Sequence, residues 1–83
     1  MALTPMDRRT FVLQLALEHA QLERANPGRK ITPLDERFVF SVGGGYVRAG
    51  QYRPRGDWRS IDKRPFARDA RRALPYARRL LDS

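Results

Sequence analysis

Residues 32–52 read TPLDERFVFSVGGGYVRAGQY, and the fold turns on how this stretch is interpreted. As a helix, Leu34, Phe38 and Val42 recur at four-residue spacing, with Gly43 as the C-cap. As a strand, Phe38, Phe40 and Val42 share one face, and residues 38–42 are rich in β-formers. The helix reading scatters Phe38, Val39 and Phe40 around the axis. The strand reading is therefore preferred: a short helical turn after Thr32-Pro33, a strand, Gly43-Gly44-Gly45 as a hairpin loop, and a second strand over residues 46–52. The alternative is an all-α arrangement of three or four helices.

On the N-terminal side, Thr4-Pro5-Met6-Asp7 opens a helix, with Thr4 as N-cap, Pro5 at the first helical position and Asp7 three residues after the cap. It runs to about Ala25 and stops at the breaker cluster Asn26-Pro27-Gly28. Its polar residues Asp7, Thr10, Gln14, Glu18 and Gln21 fall in one arc, and leucines and alanines fill much of the rest. So apolar a helix is buried on more than one side. Either the domain wraps it or a second copy packs on it, and a homodimer through this helix is expected. A solution mass near that of one chain would oppose the dimer. Arg8 and Arg9 sit where the helix dipole disfavours cations, so either an anion or carboxylate holds them or they stand exposed at a cost of a few tenths of a kcal/mol each. His19 is expected to be packed or hydrogen-bonded. Thr32-Pro33-Leu34-Asp35 repeats the opening Thr-Pro-x-Asp pattern, and nothing else in the chain repeats.

On the C-terminal side, Pro54-Arg55-Gly56-Asp57 is a turn, and a last helix spans residues 65–81. At about 100° per residue, Ala70, Ala73, Ala77, Leu80 and Leu81 cluster within about 60° of Phe66. Arg64, Arg68, Arg71, Arg72, Arg78 and Arg79 occupy the opposite face, with Pro75 in their midst. Pro75 should kink this helix or divide it. The expected fold class is thus α+β, one small domain over residues 1–83 in the order α-β-β-α.

At 83 residues the chain holds one domain, which buries roughly 60–65% of its unfolded surface. There is no cysteine, which excludes thiol catalysis, cysteine zinc sites and iron–sulfur clusters. One histidine cannot build a His-rich metal site. Asp57 and Asp62 form no recognisable dyad, and Ser41 and Ser60 have no histidine near in sequence. The triple glycine lacks the Gly-Lys-Ser/Thr of a phosphate loop. No enzymatic activity, cofactor or metal is expected. No run approaches the ~20 apolar residues of a membrane span. The absence of cysteine fits a reducing compartment, so a cytoplasmic protein is expected. Abundant Arg and Ala suggest a GC-rich genome, bacterial or phage.

The net charge of +8 is lopsided. Residues 1–46 are a nearly neutral scaffold, with six basic side chains against five acidic ones. Residues 47–83 hold eleven basic residues against Asp57, Asp62, Asp69 and Asp82. Such asymmetry points to a polyanionic partner. The candidate contacts are Arg48, Arg53, Arg55 and Arg59 in the segment before the last helix, and Arg64, Arg68, Arg71, Arg72, Arg78 and Arg79 on it. Arginine forks bind phosphate bidentately, and the interleaved Tyr46, Tyr52 and Trp58 would stack bases unless they belong to the core, which is the preferred reading for Trp58. The expected function is non-enzymatic nucleic-acid binding through phosphate contacts, salt-sensitive and largely nonspecific. The alternative is an interaction protein that blocks an acidic protein or nucleoprotein surface. Small phage-type inhibitors, anti-CRISPR proteins among them, share this size and lack of catalytic residues, although no family motif is matched.

Overall fold

Each Thr-Pro-x-Asp segment ends in the residue that starts a helix. The computed structural model describes residues 5–83, so Thr4 and the capping role expected of it lie outside the described residues. Asp7 is the N-cap instead. Its carboxylate accepts the Thr10 N–H at 2.8 Å, and α1 spans Arg8–Ala25. Asp35 does the same for the Phe38 N–H at 3.1 Å and opens α2, Glu36–Phe38. Each satisfies a backbone donor that a helix start leaves unpaired. The residues just before these caps, Met6 and Leu34, pack on the core like the outer half of a hydrophobic staple.

From α2 the backbone continues without a break through a π segment, Val39–Gly43, into α3, Gly44–Arg48. This overturns the α-β-β-α expectation. Residues 38–42 and 46–52 form no strands, the triple glycine is no hairpin loop, and the described residues contain only one isolated parallel bridge, Met6 with Tyr52. The architecture is three helical stretches, as in the all-α alternative. The physical reason lies in the apolar spacing. Leu34, Phe38, Val42 and Tyr46 form one row and Val39, Gly43 and Val47 another, each with a period of four. An ordinary α-helix turns every 3.6 residues, so such rows would drift off the core. The wider π turn, bonded i to i+5, holds them inward. Phe38, Val39, Gly43 and Gly44 are buried, and Val42, Tyr46 and Val47 are half-buried.

The glycines make this helix fit. A Cβ on Gly43 would stand 2.8 Å from both Phe11 Cζ and Trp58 Cζ2, so only hydrogen fits there. The Phe40 carbonyl accepts both the Gly44 N–H within the helix and, at 3.2 Å, the Trp58 indole N–H.

The last helix, α4, spans Arg64–Asp82 with Pro65 in its first turn, one residue beyond each end of the expected span. Pro75 does not divide it, and sits on its exposed side. α4 is the principal neighbour of α1. Ala16 and Ala20 of α1 and Ala77 of α4 are fully buried together, small side chains that let the two backbones approach. Arg8 pairs with Asp69, and Arg24 with Asp82, so the two helices run in the same direction.

At one end of this pair Phe11 is wholly buried and is the hub of an aromatic cluster. Its ring stacks on Tyr52 at 4.0 Å and meets Tyr46, Trp58 and Phe66 edge-on at 5.5–6.2 Å. The cluster thereby ties α1, α3, α4 and the connecting segment 49–63 to one point.

Tyr46 donates its hydroxyl to Glu18 at 3.0 Å, and burial, reinforced by Glu18, pushes its pKa up to about 12. The neutral phenol is favoured in the folded state, so this contribution to stability is intact below pH ~10 and is lost as pH rises toward 12. Stability is expected to fall over that window. Tyr46→Phe should flatten the fall in denaturant melts read against pH, and an unchanged profile would refute this assignment.

Candidate nucleic-acid interface

The acidic side chains are mostly occupied in holding the fold. Asp7 and Asp35 cap helices, and Glu18 accepts from Tyr46. Asp69 receives Arg8 at 2.9 Å and Arg68 at 3.2 Å, and Glu23 receives Arg78 at 3.0 Å. Asp62 takes Arg64 through both carboxylate oxygens, and Asp82 takes Arg24. The hydrogen bond from Arg8 holds the Asp69 carboxyl below the usual range, and those from Arg78 and Arg64 do the same for Glu23 and Asp62. Arg8 also lies 4.8 Å above the Phe66 ring, which gives it the anchor its place at a helix start required.

This divides the arginines of α4 into two rows. Arg64, Arg71 and Arg78, seven residues apart, reach back onto the protein: to Asp62, to the Leu34 carbonyl at 3.0 Å, and to Glu23. Arg68, Arg72 and Arg79 form the outer row. Arg68 pairs with its neighbour Asp69, whereas Arg72 and Arg79 have no carboxylate partner among the described residues. Arg48, Arg53, Arg55 and Arg59 are likewise exposed and unpaired among the described residues. All ten arginines singled out from the sequence are on the surface, and six of them have charge uncommitted to the fold.

The tyrosines and tryptophan between those arginines do not stack on anything outside. Tyr52 and Trp58 are 8% exposed and Tyr46 is half-buried, all in the Phe11 cluster. The exposed aromatics are Phe40 and Tyr76, each 50% accessible. The strand reading put Phe40 on one face with Phe38 and Val42, and a helical reading of residues 36–48 is needed to turn it outward. Arg37 was also missed. It lies in the nearly neutral half, yet it shares a recess of about 350 Å³ with Phe40, Arg59 and Lys63. Lys63 is 6% exposed, donates to the Trp58 and Ile61 carbonyls, and holds its ammonium 4.5 Å from the Trp58 ring.

His19 is buried and bonded at both ring nitrogens, Nε2 to the Thr32 carbonyl at 2.9 Å and Nδ1 to Glu23 at 3.0 Å. It ties α1 to the segment before α2. Among the described residues no cluster of His, Asp or Glu has the arrangement of a metal site, and no helix is long and apolar enough to cross a membrane. No family model, characterised protein or solved structure matches the chain.

Proposed function

We propose that the protein is a non-enzymatic cytoplasmic binder of nucleic acid that works through phosphate contacts. Arg48, Arg53, Arg55, Arg59, Arg72 and Arg79 are the principal contacts. Arg64, Arg68, Arg71 and Arg78 add to the field while serving the fold. The observation that carries this reading is that most carboxylates are engaged in caps and ion pairs within the fold, while Arg48, Arg53, Arg55, Arg59, Arg72 and Arg79 are exposed with no carboxylate partner among the described residues. A surface cationic in excess of its structural needs attracts phosphate by counterion release, with little regard for base sequence.

The test uses arginines that hold nothing in the fold, so a loss of binding is not a loss of structure. Arg72→Ala combined with Arg79→Ala is expected to weaken binding to unrelated duplexes by a similar factor. It should also reduce the log–log salt slope by about 0.9 for each phosphate contact removed. Unchanged affinity and slope in fluorescence anisotropy would remove α4 from the interface.

The second reading, an inhibitor seated on an acidic protein surface, has one observation in its favour. Between α1 and α4 runs a groove of about 380 Å³ floored by Val12, Leu13, Ala73 and Tyr76, with Arg8 and Arg9 at its rim. Apolar floors with arginine rims are also what protein partners use. Failure to bind any nucleic acid at low salt, with tight binding to one acidic protein complex, would make this the better reading.

A further inference from the structure

We propose that Phe40 is a stacking platform for an unpaired nucleobase, so that single-stranded nucleic acid is the preferred form of the ligand. The inference rests on the phosphate-binding reading above and narrows it.

Phe40 is a large apolar side chain that the fold turns outward. Its neighbours Phe38 and Val39 are buried at 4% and 0%, whereas Phe40 is 50% exposed. Its backbone is not free to shift, because its carbonyl is held by the Trp58 indole. The ring is thus carried on an anchored turn at the edge of the recess. Its chemical surroundings suit a base with its flanking phosphates. Arg37 and Arg59 line the same recess, and the Lys63 ammonium lies 5.4 Å over the Phe40 ring. The recess also holds two carboxylates. Asp62 is taken up by Arg64, which leaves Glu36 as the one acid facing two exposed arginines. Two exposed arginines and a half-exposed aromatic ring together fit a single strand, in which backbone and base are both accessible. They do not fit a duplex, whose bases are stacked on one another and offer no free face to the ring.

The experiment measures anisotropy of a labelled oligothymidylate and of a labelled duplex against wild type, Phe40→Leu, Phe40→Trp and the Arg72→Ala/Arg79→Ala pair, across salt concentrations. Circular dichroism confirms that each variant is folded. Phe40→Leu should weaken binding of the single strand roughly tenfold, within the range found for removing a base–aromatic stack. Its salt slope should be unchanged, because no phosphate contact is lost. Phe40→Trp should restore affinity, and duplex binding should not respond to either change. Equal affinity of wild type and Phe40→Leu for the single strand, with binding still lost in the arginine pair, overturns the platform and leaves the phosphate reading standing. A loss shared equally by single strand and duplex also overturns the platform. A wild type that binds neither ligand at low salt overturns both.

Discussion

Phe11→Ala is expected to destabilise the domain by about 3–5 kcal/mol, the range for removing a fully buried phenylalanine side chain. The deleted ring touches four others, and they belong to different parts of the chain: Tyr46 on α3, Tyr52 and Trp58 in the connecting segment, Phe66 on α4. No nearby side chain is placed to refill the space, since each partner is fixed by its own element. A domain of this size has a total stability toward the low end of the ~5–15 kcal/mol typical of folded proteins. The loss is therefore a large share of the whole, a fall in melting temperature of roughly 15–35 °C. Phe11→Leu keeps much of the volume and should cost less. Chemical denaturation with unchanged slope reports the difference directly. A loss below about 1 kcal/mol for Phe11→Ala would mean that the aromatic cluster is not the core.

The second large effect is a reversal of sign between two glycines two residues apart. Gly43 and Gly45 are both helical, and alanine in place of a helical glycine ordinarily gains about 0.5–1 kcal/mol. At Gly45 nothing lies within 4 Å of the new methyl group, so Gly45→Ala should show that gain. At Gly43 the methyl meets the Phe11 and Trp58 rings at 2.8 Å. Neither ring can swing away, because both are packed in the cluster and Trp58 is also bonded to the Phe40 carbonyl. Overpacking of this kind costs about 1–3 kcal/mol, which outweighs the helical gain and leaves Gly43→Ala destabilised on the order of 1–2 kcal/mol. Paired thermal melts of the two variants decide it. Two shifts of the same sign would contradict the close approach of this helix to α1 and the connecting segment.

That same contrast explains what could be read in the sequence. The end of α1 at Asn26-Pro27-Gly28, the span of α4 and its apolar and basic sides follow from spacing within single helices. So does the surface placement of the six arginines of α4. The middle of the chain was misread because its evidence is not local. Three glycines look like a turn until two rings from distant positions, Phe11 and Trp58, are known to lie against the first of them. A four-residue apolar period suits neither a regular helix nor a strand, and only a π turn reconciles it with a core on one side. Pro75 does not divide its helix: on an exposed face, the lost hydrogen bond does not interrupt a helix held along its length by α1. Arg37 and Phe40 escaped notice for the same reason as the glycines, since their meeting with Arg59 requires the helix that the local pattern obscured. The split of the α4 arginines into an inward and an outward row depended on partners as remote as Glu23 and Leu34.

The connecting segment has an in-and-out rhythm. Tyr52 and Trp58 are sunk into the Phe11 cluster, and Arg53, Arg55 and Arg59 stand outside, immediately beside those anchors. A strand of basic residues without such moorings would have to surrender much of its freedom when it met a polyanion. Here that freedom has already been given up during folding, so less of it is left to lose on contact. The arginines therefore present a spacing of charges that is set in advance, and under the phosphate-binding function proposed above, ligands should be discriminated by how their phosphates are laid out in space.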